Sequence, residues 1–171
     1  MTSIECVKGD ITDQHVDAIV NAANSGLLGG GGVDGAVHAA AGPRLLDACR
    51  LLRATTHPDG LSVGDAVATH GGDLCAPWVI HTVGPNLHRG QSDPALLASC
   101  FTRSLAVARG VGARTVAFPA VSAGAYGWAA TDVARIALAA VRADTATSAG
   151  IDLVRFVLFD DAALRAFTDA M

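Results

Sequence analysis

The chain has 171 residues, 12 basic and 16 acidic side chains, a net charge of −4 and 51% hydrophobic content. At about 150 residues per domain, this length gives one domain over residues 1–171 with no room for a second core. The acidic balance and the lack of any cluster of Lys or Arg exclude a general nucleic-acid binder, and no apolar run approaches about 18 residues.

The first segment, Ile4 to Val7, is β-rich and is followed by Gly9-Asp10-Ile11-Thr12. A second strand over Ala18 to Val20 ends near Asn21 and opens into a glycine loop, Gly29 to Gly32. Helical patterning then covers Val33 to Ala41 and Arg44 to Leu52. Thr55 to Leu61 contains His57-Pro58-Asp59-Gly60, a turn signal that marks a variable surface loop. Ala66 to Thr69 and Val79 to Val83 are strands, and Pro94 to Arg109 is a helix. Thr115 to Phe118 is a strand leading into the loop Pro119 to Gly127. The helix over Thr131 to Ala146 places Val133, Ile136, Ala137, Ala140 and Val141 at a period near 3.6. Leu153 to Leu158 is a strand and Asp161 to Ala170 a helix. Because the last strand is nearly continuous in apolar residues, its sheet is expected to be covered on both faces. The alternation predicts a three-layer α/β/α sandwich around a mixed, mostly parallel sheet of about six strands. Only 5% of residues are aromatic beside 34 alanines, so the helices pack closely through small side chains.

Function concentrates in two loops. Four glycines in a row cost backbone entropy that a plain connector does not need, so something approaches that backbone closely. A helix starts directly afterwards, which aims amide N–H groups and the positive end of its dipole at an anion such as a diphosphate. No basic residue lies between Lys8 and Arg44, and none between Arg114 and Arg135, so an anion at either loop is neutralised by backbone. Gly30, Gly32 and Gly35 satisfy the spacing of a dinucleotide-binding fingerprint. The required acidic residue at the end of a second strand is missing, however, and there is no G-K-[ST] sequence. The second loop, with Ser122, Ala123, Gly124, Ala125 and Tyr126, also follows a strand and precedes a helix, so the two loops read as walls of one cleft. The four cysteines have no C-x-x-C pair and read as reduced thiols, and the six histidines show no metal spacing. With no N-terminal leader, the expected compartment is the cytoplasm.

Asn21-Ala-Ala-Asn24, Gly29-Gly-Gly-Gly-Val33-Asp34, His38-Ala-Ala-Ala-Gly42-Pro43, Val79-Ile80-His81-Thr82-Val83-Gly84-Pro85 and the Ser122 to Gly127 loop resemble, in order, a macrodomain of the MacroD type. The resemblance spans nearly the whole chain. It implies the macrodomain fold, an ADP-ribose cleft, and removal of mono-ADP-ribose from modified Glu and Asp side chains, with related activity on O-acetyl-ADP-ribose. It implies no cofactor and no metal. The expected partners are ADP-ribose and mono-ADP-ribosylated proteins, with ADP-ribosylated DNA open as a substrate, no membrane partner, and a monomeric state.

By resemblance, Asp10 accepts from the adenine amino group, Ile11 lines that pocket, and Phe159 covers the adenine face. Gly30, Gly31, Gly32 and Val33, with Ser122, Ala123, Gly124, Ala125 and Tyr126, clasp the diphosphate, and Tyr126 also shapes the distal ribose end. Asn24 and Asp34 correspond to the catalytic pair at the distal ribose. Taken alone, each residue has a plainer role: Asp34 a helix-start carboxylate, Asn24 a loop-bonding amide, Phe159 core, and Asp10 an Asx turn. His38, four residues after Asp34, and His81, in a strand, read as structural. The second loop departs from the family pattern at Ala123, Ala125 and Trp128-Ala129, which bears on affinity and loop rigidity.

Overall fold

The computed structural model describes residues 1–171. Six strands, β1 (Ser3–Lys8), β2 (Ala18–Ala23), β3 (Ala66–His70), β4 (Trp78–Val83), β5 (Thr115–Phe118) and β6 (Leu153–Leu158), form one sheet in the order β1-β6-β5-β2-β4-β3. All neighbours are parallel except β3, which pairs antiparallel with β4 at one edge. The five helices are α1 (Gly32–Ala41), α2 (Pro43–Ala54), α3 (Pro94–Gly110), α4 (Ala130–Thr147) and α5 (Asp161–Ala170). The expected mixed, mostly parallel α/β/α sandwich is what the chain adopts, and no helix is long and apolar enough to cross a membrane.

The period-2 geometry of the strands divides the core. Val154, Phe156 and Leu158 of β6, with Val116 and Phe118 of β5, pack against α3, α4 and α5. Ile19, Val79, Ala117 and Val157 point the other way, onto Val37 and Ala41 of α1 and Leu45 of α2. Both faces are therefore sealed, which is why the central strands carry few polar residues. The few aromatics are concentrated on one face: Phe156 lies 5.0 Å from Phe167, 5.9 Å from Phe118 and 6.2 Å from Phe101, ring centre to ring centre.

Element ends differ from the sequence expectations in informative places. Strand β2 runs on to Ala23, so Asn21 is a strand residue paired with His81 of β4 rather than the start of a loop. Helix α2 begins on Pro43, whose fixed φ and missing N–H suit a first-turn position. The Thr55 to Leu61 turn lies at the surface as expected, with Thr55, Thr56, Pro58 and Asp59 exposed, but its end is tied down. Leu61 is buried, its N–H donates to the Ser25 carbonyl at 2.9 Å, and Arg53 donates to the Gly26 carbonyl at 2.9 Å. This turn therefore props the start of the glycine loop.

Truncating Phe156 removes the ring at the centre of the aromatic group. Phe156→Ala is expected to cost about 3–5 kcal/mol, read as a lowered urea midpoint at unchanged m value.

Candidate active site

A parallel sheet delivers all its strand-to-helix loops to one edge, and here that edge carries a cleft of about 770 Å³. Its walls come from Gly9 to Ile11 after β1, Ala22 to Asn24 at the end of β2, Gly30 to Asp34 at the start of α1, Gly84 after β4, Pro119 to Tyr126 after β5, and Phe159 after β6. Every residue expected at the site lies in this lining, and the lining holds no Lys or Arg.

Asp10 makes the Asx turn expected of it, with Oδ1 accepting from the Thr12 N–H at 2.9 Å and the Thr12 hydroxyl at 2.7 Å. Oδ2 accepts no protein hydrogen bond and is left for a donor in the cleft. Ile11 is buried beside it as part of the core. Phe159 is not core: it is 87% exposed at the cleft rim, an aromatic face open to a flat partner.

Two non-glycine residues have positive φ, Leu27 at 62° and Ser122 at 68°, one in each cleft loop. Such conformations cost about 1–3 kcal/mol each and need external support. Leu27 is held by burial with Ala23, Cys49, Leu61 and Val83. Ser122 is held by its own hydroxyl, which donates to the Pro85 carbonyl at 2.8 Å. That hydroxyl is therefore committed to the loop, and what Ser122 presents to a ligand is backbone. Trp128 donates from Nε1 to the same carbonyl at 3.1 Å and is buried, so it anchors the end of the second loop. A Cβ on Gly84 would collide with the Ser122 hydroxyl, so only glycine lets β4 and the second loop meet there.

The first loop turns into α1 through Gly31 as N-cap, with no side-chain cap. Gly32 has φ of 57°, a left-handed conformation that other residues rarely adopt. Asp34, in the first turn, is not a cap. Its carboxylate is 5% exposed and points at the sheet, where Oδ1 accepts from Asn21 Nδ2 at 2.8 Å. His38 Nε2 lies 3.5 Å from the same oxygen, one turn along α1. Asp34 Oδ2 is buried without a partner. Asn24 donates from Nδ2 to the Gly29 carbonyl at 3.1 Å, the loop bond expected of it. An ideal Cβ on Gly30 would stand 3.1 Å from Asp34 Oδ2 and 3.2 Å from Asn24 Nδ2, so an acceptor and a donor flank one small space at the cleft wall.

Asn21 has no site role legible in the sequence, because an asparagine at a strand end carries no pattern of its own. His38, read as structural, is brought to the Asp34 carboxylate. His81 is structural in the sense expected, fully buried and partnered: Nδ1 is 3.1 Å from Asn21 Nδ2 and Nε2 is 2.9 Å from the Thr69 hydroxyl. Burial, with His38 nearby, pushes its pKa down to about 3, so the ring is neutral. Burial likewise pushes the neighbouring Cys49 thiol up to about 11.

The cleft lies at the carboxyl ends of the strands of a mixed α/β sheet, is walled by two glycine-containing loops, and has a buried carboxylate in its lining. The Macro domain family model matches residues 20–137. A macro domain-containing protein of Streptomyces nogalater is 56% identical over 98% of this chain and 91% of its own length. One from Streptomyces coelicolor is 58% identical, with 98% and 97% covered. The solved Oceanobacillus iheyensis macrodomain with ADP superposes with a TM-score of 0.92 at 37% identity, covering 96% of this chain and 87% of that one. The Trypanosoma brucei macrodomain in complex with ADP-ribose gives 0.87 at 37%, with 97% and 68% covered. The chain belongs to the macro domain family.

The depressed His81 pKa makes stability pH-dependent. Between about 6.5 and 3 the unfolded chain binds a proton that the native ring refuses, so acid favours unfolding. Denaturation midpoints should fall as pH drops through that window, and a folded His81→Gln variant should lose that component of the slope.

Proposed function

We propose that this macrodomain, a single unit over residues 1–171 of the MacroD type, binds ADP-ribose and hydrolyses mono-ADP-ribose from glutamate and aspartate side chains of proteins. O-acetyl-ADP-ribose is a second ester of the same kind. The observation that carries this reading is the unpaired Asp34 Oδ2 beside Asn24 Nδ2 within a cleft walled by backbone amides. ADP-ribose is a bound partner in a solved relative, and the cleft here has a matching order of surfaces. Phe159, Ile11 and the free Oδ2 of Asp10 suit adenine. Gly30 to Val33, at the N-terminus of α1, and Ser122 to Tyr126 suit the diphosphate, which the backbone neutralises without a cationic side chain. The distal ribose then falls at Asn24 and Asp34.

Hydrolysis splits the ester with one water into ADP-ribose with a C1″ hydroxyl and a free carboxyl group, so it requires no cofactor. Asp34 is held on one oxygen and unpaired on the other, which leaves a lone pair for a ribose hydroxyl or for the attacking water. Asn24 donates to the sugar or the ester oxygen. The partners are mono-ADP-ribosylated proteins met by a monomer in the cytoplasm.

Wild-type protein should release ADP-ribose from a protein modified on Asp and Glu, and Asp34→Ala should slow release by about 100-fold or more while still binding ADP-ribose in a calorimetric titration. ADP-ribose bound tightly with no release from any ester would make the domain a reader. Release confined to ADP-ribosylated DNA would overturn the linkage. Gly32→Val should weaken ADP-ribose binding tenfold or more. The added Cβ meets no protein atom within 4 Å, so the effect comes from distorting a 57° φ at the helix start and from filling ligand space.

A further inference from the structure

We infer that Thr69, His81 and Asn21 form a positioning chain for the Asp34 carboxylate, and that the charge of Asp34 in turn fixes His81 as the tautomer protonated on Nε2. The chain crosses three strands to reach α1. Asn21 and His81 are register partners on β2 and β4, so their side chains stand side by side on the face that α1 and α2 cover. Thr69 reaches the far side of the imidazole from β3.

The proton positions follow from what each group can do. An ionised carboxylate only accepts, so the atom of Asn21 that lies 2.8 Å from Asp34 Oδ1 is the NH2 group. The same NH2 group is 3.1 Å from His81 Nδ1, which must therefore offer a lone pair. A neutral ring with a bare Nδ1 carries its proton on Nε2, 2.9 Å from the Thr69 hydroxyl and 3.7 Å from Cys49 Sγ, both able to accept it. The opposite tautomer would set an N–H against the Asn21 NH2. Flipping the Asn21 amide to relieve that clash would set its oxygen against Asp34 Oδ1. Either arrangement is a like-against-like contact where water cannot intervene, since Asn21 and His81 are fully buried.

Two details show that the chain serves the carboxylate rather than its own satisfaction. The Asn21 oxygen is left buried and unpaired, so the amide is oriented by its NH2 group alone. And Asp34 presents its other oxygen, without a partner, to the Asn24 side of the cleft. The rate consequence rests on the hydrolase reading, whereas the tautomer does not.

The test starts with the imidazole nitrogen resonances of His81 in the ligand-free wild-type chain, labelled with nitrogen-15. The expected result is a bare Nδ1 and a protonated Nε2 at neutral pH. A protonated Nδ1 overturns the chain. The second arm measures Asn21→Leu, which keeps the branched shape and removes the amide. Its kcat for release of ADP-ribose should fall by about 100-fold, with the ADP-ribose Kd within about twofold of wild type, because a misplaced carboxylate costs rate rather than binding. Equal kcat, or a loss of kcat matched by the same loss of binding, overturns the positioning role. If wild type itself releases nothing, the hydrolase reading fails while the nitrogen resonances still decide the tautomer.

Discussion

A carboxylate taken out of water must be compensated, and the hydrogen bond from Asn21 to Asp34 is the compensation on which this site depends. It joins the central strand β2 to the first turn of α1 and so fixes the helix start over the sheet edge. The glycine loop lies between these two anchors, and its geometry follows from theirs. Removing the amide would leave the buried carboxylate without its hydrogen bond, with His38 Nε2 at 3.5 Å from the same oxygen.

The rest of the cleft is built with little charge. No lysine or arginine lines it, and the donors it offers are amides of two loops and of one helix N-terminus. Backbone donors are fixed by the fold and lose little entropy when an anion arrives, but they must be held in place. Strain at Leu27 and Ser122 is the cost of that arrangement. The Leu61 turn, the hydrophobic group around Cys49 and the doubly used Pro85 carbonyl supply the support.

The distribution of small residues fits the same logic. Ala134, Ala137 and Ala140 of α4 are buried in the core, and glycine at position 84 lets two loops meet. The large side chains are concentrated where volume is needed, in the Phe101, Phe118, Phe156 and Phe167 group on the face of α3, α4 and α5. That division leaves the α1 and α2 face free to carry a polar chain of Asn21, His81 and Thr69 inside an otherwise apolar interior.

The strands, helices and mixed α/β/α sandwich were legible in the sequence because period, turn residues and helix starts are local properties. The two glycine-containing loops were legible for the same reason, and the family resemblance supplied the roles of Asp10, Phe159, Asn24 and Asp34 as expectations. What only the tertiary structure decided are pairings between distant segments. Asn21 and His81 are 60 positions apart and become register partners, which no local pattern encodes. Asp34 looks like a helix-start carboxylate until α1 docks and turns it toward β2. The Ser122 hydroxyl has no evident partner in its own segment until the turn after β4 places the Pro85 carbonyl against it. Local sequence sets what a side chain can donate or accept, and the fold selects which distant group is there to answer it.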